Sequence, residues 1–338
     1  MKNAAFGFFV MTRKFRVFLR LKRSLPAFAV AFGFFTVLFI NVSGWFDSDD
    51  GAALVELRKT AVILTLGSIS PLRNVLDAKQ NSLDQLSAQV LFDDILPLHF
   101  PHLYEGVIIY EGEFRDWFRA YDEAGVRLVP TSRIQERQTY GDSFELFSGI
   151  YGAPVKPAAI RWLAESGDSY RSAWCLEPDI VYTQPWHVLF GKYGSNEGDL
   201  VAFNVTFRHR NKTKWNHWRG CSFCRELPRE GLQAAMLPIF RVSQRLAKAI
   251  LTTLKSSSRS AHHEVLIPTF VTMHDDFTWT DLAPEVGYVE WRPIIDARFF
   301  NASQPILPGR LYHPIKSPEI FQKFIAETLH ASSLEIPA

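Results

Sequence analysis

Short apolar runs alternate with amphipathic segments through the first half of the chain beyond residue 59. The apolar runs predict buried strands at 60–68, 106–113, 126–130 and 172–176. Between them, apolar residues at helical spacing or a closing glycine predict helices at 70–96, 114–125 and 157–167. Residues 131–157 show neither pattern and are expected to be irregular. This alternation predicts an α/β fold with a mixed, mainly parallel sheet flanked by helices.

The second half of the chain is patterned less regularly. Residues 199–210 alternate apolar and polar positions, which predicts a half-buried strand. A long amphipathic stripe predicts a helix over 228–255, kinked or divided at Pro238. The segment 262–276 fits either a strand or a buried helix. A last amphipathic helix is expected after Pro318.

The N-terminal segment has the charge pattern of a membrane anchor. Residues 1–24 carry seven Lys and Arg and no acid, 25–42 carry no charge, and acids follow. Eighteen apolar residues suffice to span a bilayer as a helix, and the basic flank stays cytoplasmic. We therefore expect a cytoplasmic tail (1–24), a signal anchor (25–44), a short stem (45–59) and a lumenal domain (60–330). A cleaved signal peptide and a mitochondrial or plastid presequence are the alternatives.

The overall composition narrows the class of partner. The 338-residue chain has a formal net charge of +2, so no broad basic field is available and nucleic-acid binding is not expected. A hydrophobic content of 47% is ample for a large core in one domain.

Cysteines and asparagines give weaker signals about the lumen. The three cysteines allow at most one intramolecular disulfide, and Cys175 lies in an apolar strand, as a buried small side chain would. The CxxC of Cys221 and Cys224 fits a disulfide or free thiols and, with His217, three zinc ligands. Asn-x-Ser/Thr triplets at Asn204, Asn211 and Asn301 are consistent with a glycoprotein.

Two carboxylates follow the predicted strand 172–176. Glu177 and Asp179 are separated by one proline, which restricts the backbone between them. Ligands of open α/β sheets bind outside the carboxyl ends of the strands, which is where these acids are expected. Mg²⁺ and Mn²⁺ prefer carboxylate oxygens, and such a cation can clamp a diphosphate leaving group. A turn with solvated acids is the alternative.

The order of elements and the acid–x–acid motif resemble the GT-A glycosyltransferases. "WCLEPDIVYT" looks like a variant of their DxD motif in which the first acid is Glu, and it is similar to the "EPDV" stretch of fungal α-mannosyltransferases. "HHEVLIPTF" and "YHPIK" look like later pieces of such Golgi enzymes. The resemblance implies a GT-A-like (Rossmann-like) fold, a nucleotide-sugar donor, a glycan or glycoprotein acceptor, Mn²⁺ or Mg²⁺, and a single-pass type II protein of the Golgi or ER membrane.

The resemblance also implies roles for individual residues. Asp179 would be the main metal ligand, and Glu177 would contact the metal through water or the ribose. His313 would match a late histidine of the metal shell, and Lys316 would lie near the diphosphate. The alternatives are a structural histidine and a surface lysine.

Glu264 is the candidate general base for an inverting reaction, and Asp275 is the second candidate, beside Asp276. A retaining reaction would need no such base, and Glu264 would then only orient the acceptor. Glu264 could instead cap a helix. Trp215 and Trp218 could stack on a sugar or pack against the core. The alternative for the whole protein is a non-catalytic, membrane-anchored lumenal scaffold.

Overall fold

The computed structural model describes one of two units of the chain. The chain divides into Met1–Glu56 and Leu57–Ala338. All described residues lie in the second unit: 59–67, 74–95, 104–148, 153–194, 198–207, 217–218, 221–222, 224, 227, 231–257, 260–282, 286, 294–295 and 306–333. The predicted tail, anchor and nearly all of the stem are outside these ranges. None of the helices within them has both the length and the apolarity needed to cross a bilayer.

A seven-stranded sheet forms the centre of the described unit. Its order is β3-β2-β1-β4-β7-β6-β8, and a separate two-stranded sheet pairs β5 with β9. The strands are β1 (Lys59–Leu66), β2 (Tyr104–Glu111), β3 (Arg127–Thr131), β4 (Tyr170–Leu176), β5 (Val181–Tyr182), β6 (Leu200–Phe207), β7 (Gln233–Ser243), β8 (Trp279–Asp281) and β9 (Leu311–Tyr312).

The sheet is parallel from β3 to β4, and β8 is parallel to β6. Strand β7 is antiparallel to both β4 and β6. The structure therefore confirms the predicted mixed, mainly parallel sheet. Strand β1 is buried along almost its whole length because both faces are covered, which explains its continuous apolar run.

Helices cover both faces of the sheet. They are α1 (Asn74–Ile95), α2 (Phe118–Glu123), α3 (Arg133–Tyr140), α4 (Ser143–Phe147), α5 (Val155–Glu165), α6 (Trp186–Lys192), α7 (Gln244–Ser256), α8 (His263–Met273) and α9 (Pro318–Ser333). One apolar cluster joins α4, α5, α7 and α8 to one face, and a second joins α1, α2 and α6 to the other. Helix α9 packs against α1 in a smaller cluster.

Two predictions about secondary structure were wrong. The predicted helix 228–255 is in fact strand β7 followed by helix α7. Ser243 is the N-cap of α7, and its side chain accepts a hydrogen bond from Leu246 N. Strand β7 lies between β4 and β6 and is buried on both faces, and such an apolar run cannot be told from a buried helix by its pattern. Pro238 is tolerated because the register with β6 shifts beside it.

The predicted irregular segment 131–157 contains α3 and α4 and the start of α5. Ser132 caps α3 by accepting a hydrogen bond from Gln135 N. A serine three residues before a glutamine is a recognisable helix start, so this signal was present in the sequence.

Candidate functional site

The acid pair is fixed at the carboxyl end of β4 by its neighbouring strands. The Thr65 hydroxyl of β1 donates to Leu176 O at 2.9 Å. Glu177 N then donates to Pro238 O of β7 at 2.8 Å. Asp179 follows and is 2% exposed. The acids thus lie at the carboxyl edge of the parallel strands, as predicted, and Asp179 does not belong to a solvated turn.

The small sheet brings the late histidine and lysine to the acids. Strand β5 begins two residues after Asp179, and β9 ends just before His313, so their antiparallel pairing aligns the two segments. Ile315 N donates to Asp179 O at 2.9 Å. This backbone contact puts the His313 and Lys316 side chains beside Asp179, although more than 130 residues separate them in sequence.

Glu177, Asp179 and His313 form a possible metal-binding group. Each offers one ligand atom, and these atoms lie within 4.8 Å of one another. His313 Nε2 is 3.4 Å from Glu177 Oε2 and 3.5 Å from Asp179 Oδ2. Ligands of an octahedral Mg²⁺ with bonds of about 2.1 Å are spaced about 3 to 4 Å apart, so the group has the right size and chemistry.

Asp179 Oδ2 is buried and makes no hydrogen bond of regular geometry within the described part of the chain. The ammonium of Lys316 lies beside it as an ion pair. Burial lowers the pKa of Lys316, but Asp179 outweighs this and raises it. A cation is therefore the partner that this oxygen requires.

A second lysine, Lys156 of α5, holds the other acid. Lys156 Nζ is 2.5 Å from Glu177 Oε1, and it donates to Leu237 O at 2.9 Å. Burial would raise the pKa of Glu177, but Lys156 and His313 hold it well below its ordinary value. The sequence pattern alone did not single out Lys156. Its signal is a basic residue in the first turn of a helix, where the macrodipole favours acids.

The third contact of Lys156 reaches helix α8. Its ammonium lies 3.1 Å from His263 Nε2, while His263 Nδ1 lies 3.1 Å from Phe147 O. The ammonium can only donate, so His263 Nε2 accepts and Nδ1 carries the proton that goes to Phe147 O. Burial lowers the pKa of His263 well below its ordinary value, which is consistent with this neutral form.

A buried acid of α1 also belongs to this edge of the sheet. Arg115 donates to Asp84 Oδ2 at 2.5 Å and to Gly67 O, just past β1, at 3.0 Å. Burial raises the pKa of Asp84, Arg115 opposes this, and Asp179 adds to it. Asp84 is therefore within electrostatic range of Asp179. The sequence signal for Asp84 is an acid among the buried positions of α1.

Glu264, the candidate base, is buried at the start of α8 and is 3% exposed. Burial raises its pKa to about 7; Lys156 opposes this, Glu177 adds to it and His313 opposes it. These influences place Glu264 within electrostatic range of the metal-binding group. Glu264 does not cap the helix, because His262 is the N-cap and its Nδ1 accepts from Glu264 N.

Two histidines line Glu264. His217 Nε2 is 3.4 Å from Glu264 Oε2, and the rings of His217 and His262 stack with centroids 3.7 Å apart at 13°. Glu264, His217 and His262 are close enough together to suggest a second metal site. However, a metal binds imidazole nitrogen in the ring plane, and two nearly parallel stacked planes do not share such a point. Burial lowers the pKa of His262 to about 2, so this ring is neutral.

Several further expectations are settled by position. Cys221 and Cys224 form a disulfide and Cys175 is a buried free thiol, so the CxxC does not supply zinc ligands. Trp218 packs against the core, whereas Trp215 lies outside the described residues.

Asp275 is not part of the site, which corrects its prediction as an alternative base. It is exposed in the turn after α8, about 15 Å along the helix from Glu264. The following strand β8 pairs with the start of β6. Through β7, the start of β6 is aligned with the first half of β4. Asp275 therefore lies near the opposite edge of the sheet from Glu177.

The sequence matches no protein-family model and no curated protein. Among solved structures, mouse xyloside xylosyltransferase 1 in its apo form matches at 13% identity and a TM-score of 0.41, covering 75% of this chain and 97% of that one. The galactosyltransferase LgtC, both with donor and acceptor sugar analogues and as an active-site mutant, matches at 9% identity and a TM-score of 0.43, covering 78% of this chain and 95% of that one. These matched structures are glycosyltransferases.

Proposed function

We propose that this chain is a metal-assisted glycosyltransferase. It would move a sugar from a nucleotide-diphosphate donor to a hydroxyl of a glycan or glycoprotein. The observation that carries the proposal is the convergence of Glu177, Asp179 and His313 at the carboxyl edge of the sheet. One buried carboxylate, one partly exposed carboxylate and a buried imidazole meet at this edge. This set suits a divalent cation and a phosphate-bearing ligand better than a structural role.

Glu177, Asp179 and His313 would hold Mn²⁺ or Mg²⁺. Such a cation, when bound, neutralises charge on a diphosphate leaving group. Lys156 keeps Glu177 ionised and oriented, since its ammonium is held by three acceptors. His313 is 3% exposed, and its burial limits the positions its ring can take.

Glu264 would take the proton from the acceptor hydroxyl. Its buried carboxyl has a pKa of about 7, so both protonation states are populated near neutral pH. The proton would move from the acceptor oxygen to a Glu264 oxygen as that acceptor oxygen bonds to the anomeric carbon of the sugar. The bond from this carbon to the diphosphate oxygen would break, and the nucleoside diphosphate would leave with the bonding electrons. This role supports an inverting reaction. In a retaining reaction, Glu264 would orient the acceptor.

Metal and nucleotide binding test the proposal directly. The full chain is melted with Mn²⁺ and a panel of UDP- and GDP-sugars, and transfer to glycan acceptors is measured for the same donors. We expect stabilisation that needs both metal and one nucleotide, and its loss together with transfer in Asp179→Ala. Asp168→Ala is the matched control, because Asp168 is an exposed acid before β4. If no metal–nucleotide pair stabilises the protein, the non-catalytic scaffold is the better account.

We further propose a single-pass type II protein of the Golgi or ER membrane with the described unit in the lumen. The support is the basic, apolar and acidic order of residues 1–50. Sensitivity of the expressed protein to a glycosidase, lost when Asn204, Asn211 and Asn301 are all changed to Gln, would place the domain in the secretory pathway. Full resistance to the glycosidase together with import into mitochondria or plastids would contradict this placement.

A further inference from the structure

The two lysines of the site are held very differently. Lys156 contacts three acceptors, and its side chain is 12% exposed. Lys316 contacts Asp179, and its side chain is 52% exposed while that of Asp179 is 3% exposed. Lys156 is thus locked in place by its partners, whereas Lys316 approaches the buried carboxylate from solvent and can withdraw along the same path.

Lys316 contacts an oxygen of the possible metal-binding group. Its ammonium adjoins Asp179 Oδ2, the same oxygen that lies 3.5 Å from His313 Nε2. A metal ion bonded at about 2.1 Å to both atoms would meet the ammonium at that oxygen. A divalent cation and an ammonium at one carboxylate oxygen repel each other. The metal and the Lys316 ammonium would therefore compete for Asp179 Oδ2.

We propose that Lys316 is a displaceable counter-ion that couples metal binding to nucleotide binding. The inference rests on the proposed function and concerns the regulation of the same site. Without metal, Lys316 neutralises the buried Asp179 carboxylate. With metal bound, Lys316 loses this partner, and the diphosphate of a nucleotide supplies a new one.

The coupling has opposite signs in the two states. Lys316 weakens the binding of metal alone, because the metal must displace it. Lys316 strengthens the binding of metal with nucleotide, because the released ammonium pairs with phosphate. By linkage, nucleotide and metal each raise the affinity for the other by the same factor. An ordinary surface lysine would change neither affinity, and a lysine that only binds phosphate would change only the second.

The test measures Mn²⁺ binding to the full chain in detergent by the EPR signal of free Mn²⁺, with and without UDP or GDP. For Lys316→Met we expect binding of Mn²⁺ alone to tighten about tenfold and the enhancement by nucleotide to fall about tenfold, within the usual range of such couplings. Lys316→Gln should behave the same and provides a second variant if the first folds poorly. Lys316→Arg should restore both effects.

Lys323→Met is the matched control. Lys323 lies seven residues after Lys316, in α9, where its exposed side chain pairs with Glu327. We expect it to leave both affinities unchanged.

The outcomes separate this inference from the proposed function. Suppose that the unsubstituted chain binds Mn²⁺, that Asp179→Asn does not, and that Lys316→Met has the same Mn²⁺ affinity as the unsubstituted chain with and without nucleotide. The metal site then stands, and the counter-ion role of Lys316 is refuted. If neither the unsubstituted chain nor Lys316→Met binds Mn²⁺ under any of these conditions, the metal site and the counter-ion both fail.

Discussion

Replacing Glu264 by Gln should change how the stability of the fold depends on pH. Burial raises the pKa of Glu264 to about 7 from an ordinary value of 4.5. The folded chain therefore holds this proton more tightly than the unfolded chain does. The resulting stability is fully present below pH 4.5 and is lost as the pH rises through 7. Glutamine has nearly the same shape and carries no such proton, so the variant lacks this dependence.

The magnitude follows from the difference between the two pKa values. A difference of about 2.5 units, at about 1.4 kcal/mol per unit, corresponds to about 3 kcal/mol. Between pH 4.5 and pH 8, the free energy of unfolding of the unsubstituted chain should therefore fall by about 3 kcal/mol relative to Glu264→Gln. Titrating groups distant from Glu264 are common to both proteins and cancel in this comparison.

The assay is urea unfolding followed by tryptophan fluorescence at half-unit pH steps in EDTA, which keeps metal from the neighbouring acids. Glu165→Gln is the matched control, because Glu165 is an exposed acid on the surface of α5. Its curve should run parallel to that of the unsubstituted chain. If the Glu264→Gln curve is also parallel, Glu264 is ionised throughout and is not tuned as a base. If the reasoning holds, the transferase rate should also rise with pH through about 7 and fall by about 10²- to 10⁴-fold in the variant.

Three further substitutions test other parts of the structure. Lys156→Met should lower the free energy of unfolding by about 2 kcal/mol, which is less than for a fully buried pair because Glu177 is partly exposed. Adding Glu177→Gln should recover part of this loss in urea unfolding. Asp199→Asn should lower the free energy of unfolding by about 3 kcal/mol in the same measurement, because a carboxylate that is 1% exposed loses its ion pair with Arg245. An unchanged urea midpoint would show that the amide replaces this ion pair. His313→Gln should abolish the shift in melting temperature caused by Mn²⁺ while leaving the melting temperature in EDTA nearly unchanged, and a retained shift would remove His313 from the metal shell.

The sequence predicted those parts of the site that depend on short-range signals. Glu177 and Asp179 follow an apolar run directly, so their place at a strand end is a local property. The resemblance to GT-A enzymes added His313 and Lys316, whose approach to Asp179 depends on the pairing of β5 with β9. Strands of two residues leave almost no trace in a hydropathy pattern.

The errors and omissions come from tertiary packing. Strand β7 was predicted as helix because both of its faces are buried, which removes the alternation typical of strands. Lys156 and Asp84 were missed because a polar residue on an amphipathic helix looks solvated until its partners from distant segments are known. Asp275 was a plausible base only while α8 was unplaced.

The contacts of Lys156 have a mechanical consequence for the proposed reaction. One ammonium ties the end of β4 to β7 and to the first residue of α8, so it holds the acid pair and the start of α8 at a fixed spacing. The distance between a leaving diphosphate and an incoming hydroxyl would then be set by the folded protein and not by a closing movement between β4 and α8. A movement that admits substrates would then come from the solvent-facing side, where the Lys316 side chain is half exposed.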